Sequence, residues 1–218
     1  MVLQGSNLDF LLKKAKEQEK KYEWLDSADF YKEASSLVQE DYAKASEIQE
    51  RIGYCFLRAA FQAETNEQFR SRLRQSADAY QKTISLYQKT LTEDKEAKIN
   101  HAEAMVAYVR ARVESNIPKK RKLLAEWEKL ENDALKYYEK VGNKLAIGKI
   151  CNELVERSLD KRTLASNWND IKENMLQAVN YAEKAIDALS EVDNDYELTR
   201  AYLIAYSSYF AALWFRAL

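Results

Sequence analysis

The sequence predicts an all-α chain of about nine helices, folded as antiparallel helix hairpins. Three observations predict it. Four glycines and one proline in 218 residues leave few places where a helix would be interrupted. Ala, Leu, Glu, Lys and Gln, all strong helix formers, dominate the composition. An alanine-to-tyrosine step recurs four times, as Ala28 to Tyr31, Ala77 to Tyr80, Ala134 to Tyr137 and Ala178 to Tyr181. The two residues share one helix face, so a neighbouring helix can approach at the alanine and lock against the ring.

The first helix is expected over about residues 7–22, capped by Ser6 or Asn7, with Leu8, Leu11, Leu12 and Ala15 inward. The second starts near Asp26 or Ser27 and carries Ala28, Tyr31, Ala34, Leu37 and Val38 at helical spacing. The third covers about 42–64, with Ala45, Ile48, Ile52, Cys55, Phe56, Ala59 and Ala60 inward. Thr65 to Gln68 reads as a cap, and the fourth helix runs to about Leu91 through Phe69, Leu73, Ala77, Tyr80, Ile84 and Tyr87. The fifth spans about 93–115. Pro118 opens the sixth, where its missing N–H costs nothing, and Gly142 closes it near Val141. The seventh covers about 144–164. The eighth follows Ser166-Asn167 and carries Trp168, Ile171, Met175, Ala178, Tyr181, Ala185 and Leu189. After a polar turn at 192–195, the ninth runs from Tyr196 to the end.

Ser27-x-x-x-Tyr31-x-x-Ala34 and Ser76-x-x-x-Tyr80-x-x-Thr83 resemble the second helix of a tetratricopeptide repeat. Trp24-Leu25 do not occupy the usual Trp and Leu places of the first helix, and alanines such as Ala15 stand where that helix expects glycine. The tyrosine copies lie 49, 57 and 44 residues apart, against about 34 in a regular array. The chain is therefore more similar to the long-hairpin solenoids of the soluble NSF attachment protein type. That resemblance implies a right-handed superhelix and a peptide- or protein-binding scaffold, often part of a larger chain. No stretch has the composition of a flexible linker, so residues 1–218 read as one domain, expected to continue beyond 218.

Charge and motif content narrow the function. The formal net charge is −1, so no global field attracts nucleic acid or an anionic membrane. The most apolar stretch, 201–215, is shorter than the ~20 residues that span a bilayer. The start lacks a secretory pattern, and Cys55 and Cys151 read as reduced, buried thiols of a cytoplasmic protein. His101 is the only histidine, the four glycines are isolated, and Cys and His are too few and too dispersed for zinc. Acid pairs such as Glu153 and Glu156 read as charged helix faces. These features point to no catalytic residue, cofactor or metal, and to a protein that is not an enzyme.

Three sets of residues remain as candidate contacts. Tyr54, Arg58, Arg110, Arg112, Asn152 and Arg157 fall on the first helices of hairpins, where stacked repeats would align them along a groove. Arg58 and Arg110 form a ladder suited to an acidic peptide in one reading, and ordinary interhelical salt bridges in the other. Lys119, Lys120, Arg121 and Lys122 resemble a nuclear import signal, and equally suit an acidic partner or a solvated helix start. Tyr202, Tyr206, Tyr209, Phe210 and Trp214 form an aromatic stripe. It is expected to meet further repeats, a second copy of the chain, or the seventh and eighth helices. The function these expectations favour is a non-enzymatic adaptor holding a protein or peptide partner, with neither nucleic acid nor membrane insertion. The alternative is a regulatory or sensor segment of a larger enzyme or signalling protein.

Overall fold

The computed structural model describes residues 2–38, 40–162, 164–165 and 167–216, with side chains from Asn7 onward except those of 159, 160, 162, 211, 212 and 214–216. Among these residues the chain is all-α, with no strand. The helices are α1 Val2–Lys20, α2 Trp24–Ser36, α3 Tyr42–Ala60, α4 Asn66–Tyr87, α5 Lys95–Val113, α6 Ile117–Val141, α7 Lys144–Arg162, α8 Trp168–Leu189 and α9 Asp195–Arg216. Chain neighbours pack on one another through α1 to α5 and through α7 to α9, and α9 also reaches back to α7. The chain divides into two compact units, residues 1–130 and 131–218.

Helix ends follow local chemistry. Thr65 Oγ1 accepts from the Gln68 N–H at 3.2 Å and starts α4 where a cap was expected, while Asn116 Oδ1 accepts from Lys119 at 3.0 Å and Asn167 Oδ1 from Asp170 at 3.0 Å, which starts α6 and α8 at the expected breaks. α1 begins at Val2, ahead of the expected cap at Ser6 or Asn7. α2 begins at Trp24 because Ser27 is not a cap: its hydroxyl is buried and donates to the Ala15 carbonyl at 3.0 Å. α4 stops at Tyr87, short of Leu91, because Thr90 folds back and donates to the Tyr87 carbonyl at 2.8 Å. α3 stops at Ala60, short of Glu64. Trp168, expected inward, is exposed at the first turn of α8.

In residues 1–130 the tyrosine copies have a second member that the alanines do not supply. Ser27 and Tyr31 on α2, and Ser76 and Tyr80 on α4, are all buried. Each serine lies one turn before its tyrosine and donates to a carbonyl of the preceding odd helix, Ser27 to Ala15 at 3.0 Å and Ser76 to Gly53 at 2.8 Å. The Tyr80 ring sits directly on Gly53, where an added Cβ would meet it at 2.9 Å. The notch is thus the small residue across the interface, while Ala77 is only half-buried. α5 is buried almost all round, from Ala97 to Ala111, as suits a central helix. Trp127 of α6 is fully buried and lies 6.2 Å from Tyr108.

Residues 131–218 use smaller contacts. Gly148 of α7 lies against Leu189 of α8 so closely that a Cβ would collide with that side chain. Ala178, Ala182, Ala185 and Ala205 let α7, α8 and α9 come close around Leu154 and Val155. Tyr181 is half-buried and donates to Asn132 Oδ1 at 2.9 Å.

Both thiols are free and buried. Burial pushes Cys55 up from 9.0 to about 12, an effect the Ser27 hydrogen bond only partly offsets. Burial likewise pushes Cys151 up to about 12, opposed by Lys184. A thiol pKa raised by folding gives stability that is complete below the unfolded value and disappears as pH rises through the folded one. Urea midpoints should therefore hold to pH 9 and fall toward pH 12. Neither thiol should react with a chromogenic disulfide at pH 8 until urea unfolds the protein. Rapid native labelling would contradict this placement.

Candidate functional site

Antiparallel hairpins bring alternate turns to the same edge. In residues 1–130 the α1–α2, α3–α4 and α5–α6 turns are joined by direct contacts. Gln62 Nε2 donates to the Tyr22 carbonyl at 3.0 Å, which ties the first turn to the second. The Arg112 guanidinium lies 5.2 Å from the Phe61 ring centre, which ties the end of α5 to the second turn. Phe61 meets Phe69 edge-on at 6.4 Å, and Tyr22 meets Trp24 at 6.0 Å. Arg58 covers Trp24 at 5.6 Å, and Tyr54 packs between Trp24 at 5.7 Å and Arg51 at 4.6 Å. Tyr22 is largely exposed and Phe61 about half exposed.

Tyr22 carries a backbone cost. α1 closes with Glu23 N–H bonding the Gln18 carbonyl and Tyr22 N–H bonding the Glu19 carbonyl, both at 3.0 Å. The residue between helix and exit then takes a left-handed conformation, and Tyr22 has φ 62°. α6 closes by the same pair of bonds with Gly142 at φ 72°. Glycine adopts that conformation freely and a bulky side chain does not. At Tyr22 the fold keeps an exposed ring at the position that favours glycine, and such strain concentrates at functional sites.

The α5–α6 end of this edge is also strongly cationic. Residues 110–122 hold Arg110, Arg112, Lys119, Lys120, Arg121 and Lys122 against the single carboxylate Glu114. Glu114 is committed: it accepts from the Asn116 N–H at 2.9 Å and pairs with Lys119 at 2.9 Å. Its pKa is lowered by the Lys119 hydrogen bond first, then by the Asn116 N–H. The opposite edge reverses sign. Residues 37–47 hold Glu40, Asp41 and Glu47 against Lys44, and residues 88–96 hold Glu93, Asp94 and Glu96 against Lys89 and Lys95. Lys89 lies 5.0 Å from the Tyr42 ring and joins these two turns. A ligand with negative charge thus meets one attractive edge of this unit.

Of the groove residues named from sequence, Tyr54, Arg58 and Arg112 come together here. Arg110 is exposed near the end of α5. Arg58 and Arg110 were expected to be equivalent rungs, but Arg112 stands with Arg58 on the aromatic cluster where Arg110 was expected. Asn152 and Arg157 belong to the other unit and are buried. Asn152 donates to the Glu197 carbonyl and carboxylate at 3.1 Å, and Arg157 pairs with Glu153. Arg200 closes that network on Glu153 at 2.6 Å, Glu156 at 2.9 Å and Glu197 at 3.2 Å. Asn152 and Arg200 thus bind α9 to α7, Arg157 pairs within α7, and the burial of Asn152 and Arg157 leaves them poorly placed for a ligand.

Tyr202, Tyr206, Tyr209 and Phe210 are exposed on α9. The Trp214 side chain lies outside the described residues. His101 Nε2 is 4.0 Å from Glu50, which accepts the Tyr87 hydroxyl at 2.9 Å. Phe69 was read as a stripe position of the fourth helix, and Tyr22 and Phe61 were not singled out by periodicity. Their signal in the sequence was a large ring beside a turn, which the helical pattern absorbs into a stripe. A scan against models of known protein families returns no match for the chain, and neither does a comparison with curated proteins.

Proposed function

We propose that this protein is a non-enzymatic interaction scaffold, a long-hairpin relative of tetratricopeptide solenoids, that docks an acidic segment of a partner protein. The observation that carries this is the junction of three turns into one aromatic edge around Tyr22, Phe61 and Arg112, with a cationic cluster at its α5–α6 end. Guanidinium and ammonium groups bind carboxylates, and exposed rings bind the apolar residues between them. The buried Ser-x-x-x-Tyr positions on α2 and α4 support the resemblance to that repeat class. Two free buried thiols suit a cytoplasmic protein. A protein segment fits better than nucleic acid, because Glu23, Glu64, Glu67 and Glu114 break the positive surface into short blocks.

A fluorescein-labelled, glutamate-rich peptide containing two phenylalanines is the probe. It should raise fluorescence anisotropy on binding, more weakly as salt increases. The same peptide with lysine for glutamate should not bind. Reversing Arg110 and Lys122 to glutamate should weaken binding about tenfold or more, equal to ~1.4 kcal/mol or more. Tyr22→Gly should weaken binding while leaving helical content unchanged, because it removes the ring and relieves the left-handed backbone. Equal binding of both peptides, indifference to these substitutions, or tighter binding of an oligothymidylate strand would overturn the proposal.

A further inference from the structure

The α9 helix has two faces with different fates. Glu197, Ala201, Ala205 and Ser208 are buried, and this face holds the helix to its own unit. The other face presents Tyr202, Leu203, Tyr206, Tyr209, Phe210 and Leu213, exposed by 53, 66, 74, 39, 64 and 62%. With side chains of this size covering ~150–250 Å² each, the stripe leaves roughly 700 Å² of largely apolar surface open. That exceeds the ~300–600 Å² largest patch of an ordinary monomer and approaches the ~800 Å² that each partner gives to a stable interface.

We infer that α9 is a homodimer interface, in which the stripes of two copies pack antiparallel about a two-fold axis near Tyr206. Four features favour a second copy as the occupant. Tyr202, Tyr206, Tyr209 and Leu213 follow steps of four, three and four residues, the spacing of a two-helix seam. Residues 201–215 contain no charged side chain, so the stripe itself brings no charge into the seam, and the neighbouring Glu183 carboxylate is hydrogen-bonded by Tyr209. The exposed area matches what one partner of a dimer supplies. The Tyr209 hydroxyl donates to Glu183 at 2.7 Å, which fixes that ring before any partner arrives. Antiparallel pairing follows from the helix start: parallel helices would set Asp193 and Asp195 beside their copies. With the axis at Tyr206, the two starts lie about 30 Å apart. This inference is independent of the acidic-segment site in residues 1–130.

Sedimentation velocity of the full chain should show a concentration-dependent dimer. Tyr206→Glu, at the most exposed of the six positions, should shift it to monomer by at least tenfold in dissociation constant with helical content unchanged. Leu203→Lys should do the same. Under mild oxidation Tyr206→Cys should cross-link to its own copy, while Tyr196→Cys should not, since those positions stand far beyond disulfide reach. A wild-type monomer throughout, a dimer that survives both charged variants, an open-ended polymer, or efficient cross-linking at position 196 would overturn the inference.

Discussion

Replacing Arg200 by methionine is expected to destabilise the protein by about 3–5 kcal/mol, the range for removing one partner from a buried ion cluster. Arg200 contacts Glu153, Glu156 and Glu197 at once, and its side chain is 11% exposed. Without it, Glu153 keeps Arg157 and Glu197 keeps Asn152, but all three carboxylates lose the cation they share. Glu156 is the most exposed of the three acids, so Glu156→Gln should cost far less than Arg200→Met. Urea denaturation followed by circular dichroism would measure both. A loss below 1 kcal/mol for Arg200→Met would mean that the cluster relaxes into water and does not fasten α9 to α7.

Tyr80→Ala is expected to cost about 3–5 kcal/mol, as for other buried aromatic truncations. The ring is 1% exposed and covers Gly53, which has no side chain to move into the space. The cavity therefore cannot collapse from that side. Tyr181→Ala removes a half-buried ring and one hydroxyl bond to Asn132, so its cost should be clearly smaller. Equal midpoints for the two variants would show that the four tyrosine copies are equivalent and that Gly53 is not a special seat.

Much of the helical order was legible because caps and breakers act locally. Thr65 and Asn167 mark a boundary through a capping side chain, and Pro118 and Gly142 through their backbone. α1 ends at Tyr22 by the same hydrogen bonds as α6 at Gly142, yet no residue type announces it. The stripe positions were legible where helices bury one face, as in α3. They failed at Trp168 because periodicity cannot see where a helix's first turn leaves its neighbour. The serines were read as motif members, and Ser27 as a helix start, not as donors across the interface, because their acceptors lie 12 and 23 residues away. The docking edge depends on that same third dimension. Sequence named Arg58, Arg112 and the 119–122 cluster separately, and only hairpin geometry joins them to Tyr22 and Phe61.

Hydrogen–deuterium exchange of the full chain, with and without the saturating glutamate-rich peptide, tests the docking edge most directly. Bound peptide should slow exchange around Tyr22, from Phe61 to Phe69 and from Arg112 to Lys122, and leave residues 131–218 unchanged. Protection confined to residues 37–47 and 88–96, or to residues 131–218, would contradict it.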